Sequence, residues 1–140
     1  MDNDAIRDLL LKTRRIALVG ASANPMRPSY GVMSFLLGRG YDVVPVNPGI
    51  AGRELQGRRV VASLDEAGPL DLVDLFRNSA HVLAPVRDAI RLGARAIWMQ
   101  LGVVNQQAAE EARGAGLVVV MDRCPKIEWY RLGLPARVAA

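Results

Sequence analysis

Residues 16–25 constrain this chain more than any other stretch of its sequence. An apolar run ends at Val19, the small, turn-forming residues 20–22 follow, and a helix-like segment comes next. A continuous apolar run is typical of a parallel strand that is buried on both faces. A tight turn between such a strand and a helix leaves backbone N–H groups free at the positive end of the helix dipole. The pattern therefore predicts a phosphate-binding turn and a nucleotide-like ligand.

The length of the chain predicts one domain. At 140 residues it can bury a substantial core but is too short for two ordinary domains, so a single domain over residues 1–140 is expected. No apolar run approaches the roughly 20 residues of a membrane span. The N-terminus carries Asp2 and Asp4 and lacks the basic-then-apolar order of a signal peptide. We therefore expect a cytoplasmic protein without a membrane partner.

Cysteine and histidine occur once each, as Cys124 and His81. A single cysteine excludes an intramolecular disulfide and a cysteine-rich zinc cluster, and with one histidine besides it no metal site is predicted. His81 is predicted to be a solvated residue at a helix end, because the sequence indicates neither a carboxylate partner nor a nucleophile near it. No residue is predicted to be catalytic.

The basic residues indicate the kind of partner. The net charge is +4, and 16 of the 18 basic residues are arginine, whose planar guanidinium suits a bidentate grip on phosphate. The arginines are spread along the chain, with adjacent pairs only at residues 14–15 and 58–59, and no aromatic residues are interleaved with them. This distribution favours a small anionic ligand and not a nucleic acid.

Predicted strands alternate with predicted helices along the whole chain. Strands are expected over residues 15–20, 42–46, 70–76, 94–99 and 117–121, and helices over residues 5–12, 30–37, 82–92 and 106–113. Residues 60–62 read as a short strand or an extended link. The alternation predicts an α/β, Rossmann-like, doubly wound domain: a five-stranded, mainly parallel sheet of order 3-2-1-4-5 with helices on both faces. Ligands of such sheets bind beyond the carboxyl ends of the strands, here between the first and fourth.

The turn does not match the common nucleotide motifs. The Gly-x-Gly-x-x-Gly of dinucleotide-binding proteins is absent, and no Gly-x-x-x-x-Gly-Lys-Ser/Thr loop is present. The acid that holds a ribose hydroxyl is also missing, since Asp42 begins the second strand and Asn47 ends it. An uncharged residue there tolerates a phosphate on the adenosine ribose, which a carboxylate would repel.

Five segments at or after the predicted strand ends carry a resemblance. They are Gly20-Ala21-Ser22 with Pro25, Gly40-Tyr41 with Val46-Asn47-Pro48, Asp74-Leu75-Phe76-Arg77, Trp98-Met99-Gln100-Leu101-Gly102, and Met121-Asp122-Arg123-Cys124-Pro125. In order and spacing they resemble the stand-alone coenzyme A-binding proteins, relatives of the nucleotide-binding domain of the succinyl-CoA synthetase α subunit. The resemblance covers nearly all of the chain.

The resemblance implies that coenzyme A lies across the strand ends, with its diphosphate near residues 20–22 and its adenosine beside Asn47 and Pro48. Arg27, Arg53 and Arg77 are the arginines expected nearest to phosphate. The residues predicted to bind the cofactor are Gly20, Ala21, Ser22, Pro25, Arg27, Tyr30, Asn47, Pro48, Arg53, Phe76, Arg77, Gln100, Leu101, Gly102 and Cys124.

The chain departs from the synthetase subunit in one respect. That subunit has a second domain with a phosphorylated histidine in a Gly-His-Ala-Gly setting, which is absent here. The leading hypothesis is therefore a binding or regulatory protein for coenzyme A or an acyl-CoA that performs no chemistry alone.

Several alternatives stay open. The chain could be an NAD(P)-dependent or acyl-CoA-handling enzyme that uses Cys124 or His81, or the nucleotide-binding subunit of a split acyl-CoA ligase. The Cys124 thiol has three readings: an inert packed side chain, a nucleophile, or a partner for a mixed disulfide with the coenzyme. Whether the protein forms a homodimer is also open.

Overall fold

A computed structural model describes residues 2–135 of the chain as alternating helices and strands. The helices are α1 (Asn3–Lys12), α2 (Pro28–Gly38), α3 (Leu83–Arg91), α4 (Gln106–Gly114) and α5 (Pro125–Arg131). The strands are β1 (Arg15–Val19), β2 (Asp42–Val46), β3 (Glu54–Leu55), β4 (Arg58–Arg59), β5 (Leu72–Leu75), β6 (Ala96–Met99) and β7 (Val118–Val120). Short 3-10 helices cover Pro48–Ile50, Leu64–Glu66 and Ser79–His81.

The main sheet has five strands in the order β2-β1-β5-β6-β7, and all four strand pairs are parallel. Helices α1, α2 and α5 contribute to the apolar cluster on one face, and α3 and α4 contribute to the cluster on the other. Both faces are thereby covered, as a parallel sheet requires. The predicted Rossmann-like fold class, a five-stranded parallel sheet between helices, is confirmed. Within residues 2–135, no helix is long and apolar enough to cross a membrane.

The predicted position of the third main strand is wrong. It was expected outside the second strand, whereas β5 pairs with the opposite edge of β1. The outer edge of β2 is already occupied: Val61 forms a parallel bridge with Val46, and its N–H donates to the Pro45 carbonyl at 3.0 Å. The chain after β2 therefore returns and runs parallel beside the end of β2 at Val61. The other edge of β1 is free, and β5 pairs with it. The strand order consequently reverses between β1 and β5, not between the first and fourth main strands.

Two elements were not predicted. The hairpin of β3 and β4 turns at Gln56 and Gly57, with φ of 50° and 82°, the positive values that a two-residue type I′ turn needs. Helix α5 begins at Pro125, a residue favoured at the first helical position. It carries Trp129 into the apolar cluster, where the indole packs edge-on against Tyr41 with ring centroids 6.1 Å apart.

Tyr41→Phe is expected to lower the free energy of unfolding by about 1–2 kcal/mol. The buried Tyr41 hydroxyl donates to the Leu10 carbonyl in the last turn of α1, so phenylalanine leaves that carbonyl without its donor. Burial also raises the pKa of Tyr41. Urea denaturation measures the loss. Tyr130→Phe is the matched control, because Tyr130 is 61% exposed and its hydroxyl only accepts a solvent-exposed hydrogen bond from Arg39, so its change should cost less than about 0.5 kcal/mol.

Candidate functional site

Two cavities lie beside each other at the carboxyl edge of the sheet, where the strand order reverses between β1 and β5. We call them the α2 cavity and the α3 cavity. The α2 cavity, of about 420 Å³, is lined by Gly20, Ala21, Ser22, Arg27, Pro28, Ser29, Asn47, Phe76, Gln100, Leu101 and Val103. The α3 cavity, of about 440 Å³, is lined by Val19, Gly20, Val46, Asn47, Pro48, Ala62, Ser63, Leu64, Arg77, His81, Ala84, Pro85 and Asp88. They share Gly20 and Asn47, and each volume falls within the range of small-molecule sites.

Position 20 needs a glycine, because the backbone there has a positive φ and lies against the end of β5. Its φ is +91°, and a Cβ at this position would lie 2.2 Å from the carbonyl oxygen of Phe76. The N–H groups of Gly20 and Ala21 both donate to the carbonyl of Val46, at 3.0 and 3.3 Å. The expectation that these two amides are free to hold a phosphate is therefore wrong. The end of β2 lies close enough to the turn to take both donors.

Free donors occur a few residues later. Among residues 2–135, the backbone N–H groups of Ser22, Ala23 and Ser29 have no hydrogen-bond partner. Ser29 lies in the first turn of α2, which begins at Pro28 and whose N-cap residue, Arg27, makes no side-chain cap. An 11-residue helix with an uncapped start presents the positive end of its dipole, and this end borders the α2 cavity.

The charges of the two cavities differ. Among the described residues, Arg27 is the one ionisable side chain that lines the α2 cavity, and no carboxylate lines it. The guanidinium of Arg27 makes no ion pair within the part of the chain that the structure describes. The α3 cavity is mixed, with Arg77, His81 and Asp88 in its lining. The α2 cavity is therefore the better site for a multiply charged anion.

Asn47 stands at the boundary between the cavities. Its side-chain Nδ2 donates to the Ala21 carbonyl at 2.7 Å, and its Oδ1 accepts from the Gly49 N–H at 2.8 Å. These two bonds tie the end of β2 to the turn after β1 and hold the following 3-10 helix. No acid occupies this position, where dinucleotide-binding domains place one.

The segment after β6 forms the far wall of the α2 cavity. Gln100 is 6% exposed and Leu101 is 60% exposed, and both line the cavity. Gly102 lines neither cavity; its N–H donates to Asp122 Oδ1 at 2.7 Å, which anchors the loop to the end of β7. The loop therefore has one face toward the cavity and one toward β7.

Asp74 is a buried acid in the middle of the central strand β5. It is fully buried, and neither carboxyl oxygen has a hydrogen-bond partner within the described residues. Burial raises the pKa of Asp74 well above its ordinary value, and the nearby Leu75 amide offsets only part of that effect. Asp74 therefore makes no ion pair with Arg77, which leaves the Arg77 guanidinium available for a ligand as far as Asp74 is concerned.

The structure brings together most of the predicted binding residues, but not all of them. Five of them line neither cavity: Pro25, Tyr30, Arg53, Gly102 and Cys124. Arg53 is exposed near the hairpin, and Cys124 is buried as the N-cap residue of α5. The predicted solvated position of His81 holds, since it is exposed, although it borders the α3 cavity.

The prediction also missed several lining residues. They are Val19, Pro28, Ser29, Val46, Ala62, Ser63, Leu64, His81, Ala84, Pro85, Asp88 and Val103. A signal for two of them exists in the sequence, because proline is favoured at the first position of a helix. Starting α2 at Pro28 instead of residue 30 would have put Ser29 in the anion-binding first turn. The residues that line the α3 cavity have no comparable signal in the local sequence.

Comparisons with known proteins find relatives that match most of the chain. Residues 14–130 match the sequence profile of a protein family described as "CoA binding domain". The uncharacterized protein YneT of Bacillus subtilis (strain 168) is 37% identical over 123 residues, which cover 87% of this chain and 90% of that protein. The structure of a hypothetical protein from Pyrococcus horikoshii OT3 has a TM-score of 0.89 and 38% identity, covering 94% of this chain and 92% of that one.

A larger protein contains a similar domain. The dinucleotide forming acetyl-coenzyme A synthetase 1 of Ca. Korarchaeum cryptofilum, solved in complex with phosphate and ADP, matches with a TM-score of 0.69 and 26% identity. The match covers 86% of this chain and 28% of the synthetase chain.

Proposed function

The chain belongs to the family of CoA binding domains, and from this premise we propose that it binds coenzyme A or an acyl-CoA at the carboxyl edge of the sheet. The α2 cavity would hold the diphosphate, and the α3 cavity would hold the adenosine. In this proposal the chain acts as a binding or regulatory protein and performs no chemistry alone.

The uncapped start of α2 is the observation that carries the proposal. Within residues 2–135, free N–H groups occur at Ser22, Ala23 and Ser29, and Ser22 and Ser29 line a cavity whose described lining holds one arginine and no acid. Backbone N–H groups and guanidinium are the donors that phosphate prefers in proteins. The residues present therefore fit a diphosphate, although the donors lie later in the chain than Gly20 and Ala21.

The shape of the crevice supports an elongated ligand. Two adjoining cavities of similar volume share Gly20 and Asn47 in their linings, so a ligand that enters both must extend along the edge of the sheet. A nucleotide with a flexible arm has this form. Asn47 presents no carboxylate there, so a phosphate on the adenosine ribose meets no like charge from this residue.

Calorimetric titration of the purified full chain tests the proposal. We expect coenzyme A to bind at least about tenfold more tightly than NAD⁺, NADP⁺ or ATP, which differ in the arm or in the ribose phosphate. If none of the four ligands binds measurably, the proposal is wrong. Mass spectrometry of small molecules released from the native protein would identify which thioester, if any, it carries.

Arg27→Ala is expected to weaken coenzyme A binding about tenfold or more, because Arg27 is the one cation that lines the α2 cavity among residues 2–135. Arg113→Ala is the matched control, since Arg113 is an exposed arginine in the last turn of α4 and lines neither cavity. The same titration should give an unchanged affinity for the control. Equal affinities for both variants would place the diphosphate elsewhere.

A second candidate function is that of the nucleotide-binding subunit of a split acyl-CoA ligase. The acetyl-coenzyme A synthetase match supports it, because a similar domain forms 28% of that longer chain. The remaining domains would then come from another polypeptide. Affinity purification from native cells should in that case recover a partner with an ATP-binding domain, whereas recovery of the chain alone favours the stand-alone binder.

A further inference from the structure

Asp74 lies beneath the floor of the α2 cavity. The residues two positions before and after it, Leu72 and Phe76, both pack in the apolar cluster that α1, α2 and α5 cover. Because side chains alternate along a strand, the Asp74 side chain lies on this same face of the sheet. Phe76 lines the cavity. A strand rises about 3.3 Å per residue, so Asp74 lies about 7 Å from Phe76, toward the middle of the sheet.

The sealed polar atoms of this layer are all hydrogen-bond acceptors. Both carboxyl oxygens of Asp74 and Oε1 of Gln100 are closed to solvent and have no hydrogen-bond partner within residues 2–135. Asp74 stands opposite Trp98 in the register of β5 and β6, so Gln100, two residues after Trp98, is its diagonal neighbour. Folded proteins leave few buried polar atoms without a partner. A proton on Asp74 supplies the donor that these oxygens lack, and burial also raises the pKa of Asp74.

No nearby ion pair offsets a charge on Asp74 in the part of the chain that the structure describes. The apolar cluster that covers this face holds the hydroxyls of Tyr30 and Tyr41 and the thiol of Cys124 as its titratable groups. Most charged side chains of α1 and α5 pair with other residues: Arg7 with Asp4, Lys12 with Asp8, and Glu128 with Arg123 and Arg131. Arg27 lines the α2 cavity beside α2 and makes no ion pair with the described residues. An ionised Asp74 would therefore act on whatever anion Arg27 holds.

We propose that Asp74 is a proton-operated switch beneath the anion site: the α2 cavity binds a diphosphate while the Asp74 carboxyl holds its proton, and the ionised carboxylate repels that diphosphate. The inference rests on the proposed function and adds its regulation by pH. A unit charge about 7–10 Å from a diphosphate, at an effective dielectric constant of about 20, weakens binding about tenfold or more. By linkage, a bound diphosphate favours the protonated carboxyl by the same factor. Binding therefore takes up a proton from solvent at any pH where the free protein has released it.

The test measures the affinity of the full chain for coenzyme A from about pH 5 to about pH 9, by calorimetric titration of the unaltered protein and of Asp74→Asn. The coenzyme titrates identically in both experiments, so the ratio of the two dissociation constants isolates Asp74. We expect the unaltered protein to match the variant at the acid end and to bind about tenfold more weakly than the variant at the alkaline end. Inorganic pyrophosphate, which carries the diphosphate alone, should give the same rise.

Asp74→Leu is a second variant that cannot ionise, and it should show the same pH profile as Asp74→Asn. Asp4→Asn is the matched control and should follow the unaltered protein, since the Asp4 side chain is 94% exposed and lines neither cavity. Circular dichroism at each pH checks that every protein is folded. A ratio that stays constant with pH overturns the inference, because a merely structural role of Asp74 would shift affinity equally at every pH. If the unaltered protein binds coenzyme A at no pH, the proposed function fails as well.

Discussion

Replacing Gly20 by alanine is expected to lower the free energy of unfolding by about 3 kcal/mol or more. The added Cβ would lie 2.2 Å from the Phe76 carbonyl oxygen, and the φ of +91° is one that residues with a side chain rarely adopt. Backbone atoms at the end of β5 cannot move aside as a flexible side chain can. Urea denaturation followed by circular dichroism measures the loss.

Gly31→Ala is the matched control for this change. Gly31 lies within α2, and nothing stands within 4 Å of a Cβ added there. Alanine in a helix interior is expected to stabilise the protein by up to about 1 kcal/mol. A Gly20 variant as stable as the original protein would contradict the tight contact between the turn and β5.

The cause of this effect differs from the one that the sequence suggests. The resemblance implies a diphosphate near residues 20–22, which suggests that a side chain at Gly20 would block it, but the Cβ would point at the Phe76 carbonyl. Loss of ligand binding in a Gly20 variant would therefore report a damaged sheet edge. Arg27 and Gln100, which line the α2 cavity, are the informative positions for binding.

Asp74→Asn is expected to stabilise the protein relative to the original by an amount that grows with pH. The pKa of Asp74 is raised in the folded protein above its ordinary value of 3.8, so the folded chain holds a proton that the unfolded chain releases. The Asp74 carboxyl makes its full contribution to the free energy of unfolding below about pH 4. As the pH rises, this contribution falls by about 1.4 kcal/mol per pH unit, until the pH passes the pKa of Asp74 in the folded protein. Asparagine has no carboxyl to ionise, so the fall disappears.

Urea denaturation at several pH values between 4.5 and 8 measures the difference between the two proteins. Asp4→Asn is the control, because the Asp4 side chain is 94% exposed and makes only a surface ion pair with Arg7, so its substitution should change the free energy of unfolding by less than about 1 kcal/mol. The acids with lowered pKa values, Asp71 and Glu128 among them, affect both proteins equally and cancel in the comparison. A difference that is constant with pH would show that the Asp74 pKa is ordinary.

Local patterns predicted the elements of the sheet well. The second strand, Asp42–Val46, was predicted with the bounds that the structure has, and α4 was predicted to within one residue. Apolar runs and helix-ending glycines act within a few residues, so the sequence shows them directly. The resemblance of the post-strand segments to coenzyme A-binding proteins was likewise readable, because those segments are contiguous.

Contacts between segments that are distant in the sequence could not be predicted from local patterns. Whether the Gly20 and Ala21 amides are free depends on where the carbonyl of Val46 lies, and the burial of Asp74 depends on the strands and helices around it.

The five strands of the main sheet, helices α1 to α4, the parallel α/β class and the family resemblance could be predicted from the sequence alone, because each follows from local burial patterns or contiguous motifs. Only the folded chain shows that β5 pairs with β1, that the free N–H donors are those of Ser22, Ala23 and Ser29, and that the buried Gln100 Oε1 lacks a hydrogen-bond partner among the described residues. The physical reason is that strand pairing and hydrogen-bond satisfaction depend on partners far away in the chain, which no local pattern specifies.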